Sequence, residues 1–370
     1  MYSQTPTDSC SIVKYTLFRL VDGILKEWKT LSSVFNINSP VTIFFGGGTP
    51  SLIETKYIEK IVNKISENMP SLEVSLEGNP GDLVGKVSGL RDAGVTRLSV
   101  GVQALDDREL KFLNRDHNVH QAWRSVQESL EVFPQSTSVD IIFGRPNQSV
   151  STLESELYQL IETRVPHVSL YQLTIERGTK LHKQVTKGEV TVPDEDTMAD
   201  MYQTVVETLA KAGIERYEVS NFSRPGSQCL HNLGYWTGRD YLGLGPGAHS
   251  RVTTGSERLA LVNIPYPEKW ISEVEKVGHG VKTRNKLEVK DSLKELIATG
   301  LRTASGISVH DWDRVSGGLV NMEDLYNNLD ADQTGIMMTD DHHLRSNTDS
   351  IAILDSVIPY VFNALDEIKF

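Results

Sequence analysis

The stretch Val41–Ile53, VTIFFGGGTPSLI, runs from five apolar or β-branched residues straight into three glycines, a threonine and a proline. The first five have the composition of a strand. A backbone stripped of side chains at the strand's end lets a ligand reach main-chain N–H and C=O groups directly. Short runs of similar character recur downstream as LEVSLEGNP (72–80), VTRLSVGVQ (95–103), TSVDIIFGRP (137–146) and HVSLYQLTIE (167–176). Rich in Val, Ile, Leu and aromatic residues, they read as parallel strands buried on both faces, without polar alternation.

Between these runs lie stretches such as TKYIEKIVNKISENM and TLESELYQLIETR, whose apolar residues recur at helical spacing. Strand, loop, helix and strand in alternation mean an α/β fold. Four of the runs, ending in GGGTP, EGNP, GVQ and DIIFGRP, put glycine or polar residues at the strand's C-terminal end. That convergence favours a barrel mouth over the single switch point of an open sheet. The expected organisation is a barrel over 41–225, an aromatic and Gly-rich loop region over 226–270, and a smaller, mainly helical domain over 271–370. Its clearest helices are DSLKELIATGLRT and ILDSVIPYVFNALDEI. Residues 1–40 form a separate segment, helical in part.

The 370 residues carry a formal net charge of −12, which argues against nucleic acid as a partner, since phosphate backbones call for a basic stripe. No apolar run approaches the about 18 residues that cross a bilayer. Two cysteines, Cys10 and Cys229, cannot build a disulfide framework, so a reducing compartment is expected. No signal or transit peptide is read at the amino terminus.

The glycines at 46–48 match neither the phosphate-binding P-loop nor the dinucleotide fingerprint. Taken alone they are as consistent with a tight strand-to-helix turn as with a ligand cradle. With Thr49 they can face a nucleotide-like guest. Glu77 offers a carboxylate to an ammonium, Gln103 and Asp140 offer acceptors to ribose hydroxyls, and Arg115 offers a fork to a carboxylate. Any one of these, by itself, reads first as a salt bridge or a helix cap; together they fit an amino acid joined to a nucleoside.

In this order, FFGGGTPS, EGNP, RLSVGVQ, FLNRDH, SVDIIFGRP, LYQLTIERGT, RYEVSNFSRPG, HNLGYW and YLGLGPGAHS resemble the HemW-type haem chaperones. These are relatives of oxygen-independent coproporphyrinogen III oxidase in the radical S-adenosylmethionine superfamily. The resemblance implies a (β/α)6 radical-SAM barrel. It also implies that Gly47, Gly48 and Thr49 contact the methionine part of S-adenosylmethionine, with Glu77, Gln103, Arg115 and Asp140 completing the pocket. Haem, haem-acceptor proteins and a mitochondrial location, or a cytoplasmic one, are implied in the same way.

The sequence departs from the family at one place. Members carry C-x-x-x-C-x-x-C after the first barrel strand, where three thiolates hold a [4Fe–4S] cluster. Here Cys10 has no cysteine near it in sequence, and nothing before Val41 reads as a first strand. The expectation is a partial barrel in an amino-terminally truncated or alternatively started form, with a cluster-free paralogue as the other reading. Such a barrel would expose the edge of its first remaining strand and part of an apolar interior.

QCLHNLGYW bears on haem. His231, Asn232, Tyr235 and Trp236 match the family's H-N-x-x-Y-W, and His231 and Cys229 are candidate iron ligands. Two residues apart, they can face one side of an extended segment; Tyr235 and Trp236 can stack on a porphyrin. Without the family, His231 reads as capping or bridging a loop, with the aromatics filling core. His249 reads as a loop residue, and the DDHHL pair His342 and His343 as a solvated turn. The favoured function is haem binding and delivery. A porphyrinogen-decarboxylating radical enzyme and an inactive truncated product are the alternatives, the former needing a cluster.

Overall fold

The computed structural model describes residues 9–66, 72–347 and 350–368. Five parallel strands stand side by side in chain order: β1 (Thr42–Phe45), β2 (Glu73–Gly78), β3 (Arg97–Gln103), β4 (Thr137–Phe143) and β5 (His167–Gln172). β7 (Asn221–Ser223) adds antiparallel to β5, and β6 (Glu215–Arg216) antiparallel to β7. This is the partial barrel expected from the sequence.

Helices return the chain from the end of each parallel strand to the start of the next. Val119–Val132 begins at a reciprocal cap, the Asn118 side chain accepting from the Gln121 N–H while Gln121 accepts from the Asn118 N–H. Its Ala122 and Val126 are buried against the sheet, as are Leu153 and Leu157 of the helix Val150–Glu162 and Val205 and Leu209 of the helix Glu195–Lys211. Each such side chain contributes on the order of 2 kcal/mol through apolar burial.

The sheet's two faces are not alike, which corrects the reading of strands apolar on both. Ile43, Phe45, Val74, Leu76, Leu98, Val100, Val139, Ile141, Val168 and Leu170 form the core beneath the helices. The alternate positions are mostly polar: Thr42 on β1, Glu73, Ser75 and Glu77 on β2, Arg97 and Ser99 on β3, Ser138 and Asp140 on β4, His167, Ser169 and Tyr171 on β5. Period-two alternation sends one set outward and the other inward. The interior is therefore polar and hydrogen-bonded rather than apolar. Flanking hydrophobic residues obscured the alternation because EVSLE and TSVD keep their polar members small or singly placed.

The region 226–270 is more regular than a loop. HNLGYW lies within the helix Leu230–Trp236, and β8 (His249–Thr254) with β9 (Glu257–Asn263) begins a three-stranded antiparallel sheet that β10 (Val281–Leu287) completes. The surrounding glycines masked the alternation of RLALVN. Beyond it, Val289–Gly300 and Leu354–Asp366 are helices as expected, packed with Trp312 into a second core. A small sheet of β11 (Ile307–Ser308), β13 (His343–Ser346) and β12 (Ile336–Met338) lies among them. The amino-terminal helix Ser9–Val34 is fastened to the β8–β10 region by the buried carboxylate of Glu27. It accepts from Gly245 N–H, Gly280 N–H, Asn263 Nδ2 and Trp270 Nε1 at 2.7–3.2 Å.

Candidate functional site

At the C-terminal ends of the strands, β1 runs into Gly47 and Gly48, with φ of +75° and +63°, which glycine adopts without strain. A Cβ added to either would meet nothing within 4 Å, so both backbones face open space. The Gly47 N–H donates to the Glu77 carboxylate, and burial together with the nearby Asp140 raises the Glu77 pKa. Asp140 accepts from Ser99 Oγ at 2.9 and 2.8 Å on its two oxygens and lies 3.4 Å from Ser138 Oγ. Its pKa is raised by burial, against the pull of Ser169, Ser99 and Ser138. Two carboxylates, a bare glycine turn and serine hydroxyls thus gather along neighbouring strands β1 to β4.

Gln103 closes β3 with φ of +71°, a left-handed conformation uncommon for a residue with a side chain. The β3–β4 register shifts between Val100 and Gln103. Buried Arg145 holds that turn: its Nη1 donates to Gln103 O at 3.3 Å and Ile142 O at 2.6 Å, and its Nη2 is forked by Glu156 at 2.6 and 2.7 Å. Thr49 precedes the turn Pro50–Leu52. Arg115 is exposed beyond the helix Asp107–Phe112, and no hydrogen bond or ion pair of its side chain joins it to the other candidates among the described residues.

At the opposite end, the segment Arg224–Cys229 and the helix Leu230–Trp236 close the barrel. Glu73, its side chain 10% exposed, pairs with Arg97 at 3.0 Å and accepts from the first helical N–H groups, Leu230 at 3.2 Å and His231 at 3.0 Å. A carboxylate there meets the positive end of the helix. Arg97 Nη2 also donates to Ser227 O and Gln228 O, each at 2.9 Å. The expected pairing of Cys229 and His231 along an extended segment does not form. Cys229 precedes the helix, its Sγ reaching Glu73 at 3.6 Å, while the His231 ring stacks on Phe44 with centroids 4.5 Å apart. Glu73 holds the first turn of the helix from outside, and Arg97 holds the segment that precedes it.

His231 Nδ1 lies 2.9 Å from Thr42 Oγ1, and Tyr235 packs edge-on against the ring at 4.9 Å. Burial pushes the imidazole pKa down to about 4 despite Glu73. It pushes the Cys229 thiol up to about 11, Glu73 adding to the effect. Tyr235 touches Tyr241 at 4.5 Å, and Trp236 Nε1 is buried without a partner among the described residues. Elsewhere, His249 opens β8, and His343 Nδ1 is 2.9 Å from Ser305 O beside a turn at His342. Thr42, Glu73, Arg97, Ser99 and Arg145 were missed by residue-type reasoning; for the first four the signal was the alternation along each strand, whereas Arg145 lies in the loop after β4 and had none.

No helix among the described residues is long and apolar enough to cross a membrane. The family model for the radical SAM superfamily matches residues 19–157, starting within the amino-terminal helix. The mitochondrial radical S-adenosyl methionine domain-containing protein 1 of Danio rerio is 37% identical over 361 residues, 94% of this chain and 81% of that protein. The heme chaperone HemW of Lactococcus lactis is 32% identical over 337 residues, 86% of this chain and 85% of that one. Among solved structures, coproporphyrinogen III oxidase (HemN) from Escherichia coli superposes with a TM-score of 0.73 at 17% identity, covering 94% of this chain and 83% of that one. At that identity the likeness is one of fold.

Proposed function

The chain belongs to the radical SAM superfamily, in the family of the HemW haem chaperones and the animal radical S-adenosyl methionine domain-containing protein 1, and from that premise we propose that it binds haem through His231 for delivery to an acceptor protein. The observation that carries the reading is the 2.9 Å contact between Thr42 Oγ1 and His231 Nδ1. A partner on one ring nitrogen holds the ring in place, and with Nδ1–H donating to the Thr42 hydroxyl the lone pair of the other nitrogen is left for a metal. Stacking on Phe44 and edge contact with Tyr235 hold the ring, and a pKa near 4 keeps it neutral at physiological pH. Cys229 is the weaker ligand, because burial keeps it a thiol.

The mouth suits S-adenosylmethionine, which brings an ammonium, a carboxylate and ribose hydroxyls. Gly47 and Gly48 would pass its methionine part along open backbone, Glu77 would face the ammonium, and Asp140 with Gln103 would accept from the ribose; Thr49 and Arg115 remain candidates at the rim. A [4Fe–4S] cluster is another matter. It needs thiolates. This chain has Cys10 and Cys229 alone, and no group of three or more His, Cys, Asp or Glu side chains converges on a metal position among the described residues. The donor set present does not fit the cluster. A mitochondrial location follows by analogy with the animal relatives, which carry that word in their names.

The test is an absorption titration of the purified chain with haem. Saturable binding at one site, weakened at least about tenfold by His231→Ala, is expected; loss of an anchoring ligand contact of this kind is worth about 1.4 kcal/mol or more. His343→Ala should change nothing. Affinity and Soret band unaltered in His231→Ala would place the haem site elsewhere.

A further inference from the structure

Against the far side of Tyr235 lies a cavity of about 250 Å³ between the motif helix, β8, β9 and the helix Val289–Gly300. Tyr235 and Tyr241 form one wall, Leu296 and Val315 another, and three arginines, Arg239, Arg251 and Arg258, line it against a single lining carboxylate, Glu295. That carboxylate is already spent: Glu295 forks Arg251, accepting from Nε at 2.9 Å and Nη2 at 2.7 Å.

Arg258 is held only by one long ion pair. Only 11% of its side chain is exposed, and its nearest acid, Asp240, stands 3.6 Å away. Asp240 is itself occupied by the Thr253 N–H and hydroxyl. The Arg258 Nε is buried with no partner, and its guanidinium makes no hydrogen bond among the described residues. An enclosed guanidinium with unused donors is costly, and a bidentate carboxylate is the partner that matches its fork. Arg239, exposed at the rim, adds another positive charge.

The volume is below the roughly 300–1,000 Å³ of pockets that enclose a whole ligand. It suits the acidic arm of something larger seated next door. Tyr235 is shared, its ring touching His231 on one side and lining this cavity on the other.

We propose that the cavity receives a carboxylate side arm of the tetrapyrrole held at His231, with Arg258 as the buried partner and Arg239 as the rim partner. This rests on the His231 reading given above. It explains why a chain of net charge −12 gathers three arginines against one lining carboxylate beside its first iron-ligand candidate.

The experiment compares iron protoporphyrin IX with its dimethyl ester, which lacks the carboxylates, by absorption titration of the full chain. Wild type should bind the diacid about tenfold more tightly than the ester. Arg258→Met should bring that ratio close to one by weakening the diacid alone, and Arg239→Ala should reduce it part of the way. His231→Ala should weaken both forms alike, which separates the iron site from the side-arm site. A ratio near one in wild type, or a ratio unchanged in both arginine variants, overturns the cavity assignment and leaves the His231 reading standing. Binding of neither form by wild type overturns both. Should thermal melting show that Arg258→Met does not fold, the exposed Arg239→Ala variant decides.

Discussion

The two ends of the barrel are built from the same kinds of residue and put them to opposite uses. At the mouth, Glu77 and Asp140 are carboxylates without a cation among the described residues: Asp140 has the hydroxyl of Ser99, Glu77 a main-chain N–H from Gly47, and both have raised pKa values. At the base, Glu73 is saturated by Arg97, by two helix N–H groups and by the Cys229 thiol. The mouth carries uncompensated acid in a low-dielectric wall, an arrangement that costs stability and leaves the groups available to a cationic ligand. The base spends its charges on closing the barrel, and so aims one imidazole.

The largest expected effect is therefore at the base. Arg97→Met would strand the buried Glu73 carboxylate and release the Ser227 and Gln228 carbonyls, costing about 3–5 kcal/mol. Denaturant unfolding measures it; a loss below about 1 kcal/mol would mean that Glu73 holds the motif helix unaided.

Asp140→Asn at the mouth should behave in the opposite way. Since the folded state pays for burying this charge, the variant should be as stable as wild type or slightly more so at neutral pH, within about 1 kcal/mol. It should nonetheless weaken S-adenosylmethionine binding in calorimetry. Strong destabilisation would show that Asp140 braces the sheet through Ser99 and is no ligand group.

The ends should also separate by pH. For Asp140 and Glu77 the folded pKa lies above the ordinary values of 3.8 and 4.5, so their contribution is full below those values and is lost as pH rises through the folded ones. The melting temperature of Asp140→Asn should accordingly pull ahead of wild type as pH rises above the ordinary value of 3.8. His167 and His231 at the base run the other way. Their folded pKa values, about 3 and about 4, sit below 6.5, so the unfolded chain takes up protons first and stability falls as pH drops from 6.5 toward 4. His167→Gln should flatten that acid limb. A gap between wild type and Asp140→Asn that shrinks with rising pH, or an unchanged acid limb in His167→Gln, would contradict these assignments.

Much of this was legible in the sequence. VTIFFGGGTP announced a strand ending in bare backbone, and the order of the runs gave the parallel sheet, because local apolar pattern and glycine placement are carried by neighbouring residues. What stayed hidden depended on distant partners. Nothing near HNLGYW says helix: its N-cap residue, Cys229, provides no side-chain cap, and the compensating carboxylate, Glu73, lies 158 positions from His231. Likewise Arg258 looks like any strand-surface charge in GSERLALVN until β8, β9 and the helix Val289–Gly300 close around it.

The smallest expected effect is the most telling about the base. Cys229 sits two residues from His231 in sequence, and as a pair they invite the reading of a joint iron site. In the fold they divide: Cys229 is 5% exposed and gives its Sγ to Glu73, while His231 turns toward Phe44 and Thr42. A thiol with a pKa near 11 is almost wholly protonated at pH 7, and a protonated thiol is a poor ligand. Cys229→Ser should thus leave the Soret position and haem affinity as in wild type, and iodoacetamide at pH 7.5 should label Cys229 far more slowly than it labels free cysteine. A band shift in Cys229→Ser would instead show that haem draws the thiolate out of its contact with Glu73. The motif helix would then have to unwind at its first turn to bind, and the base would be a moving part rather than a fixed one.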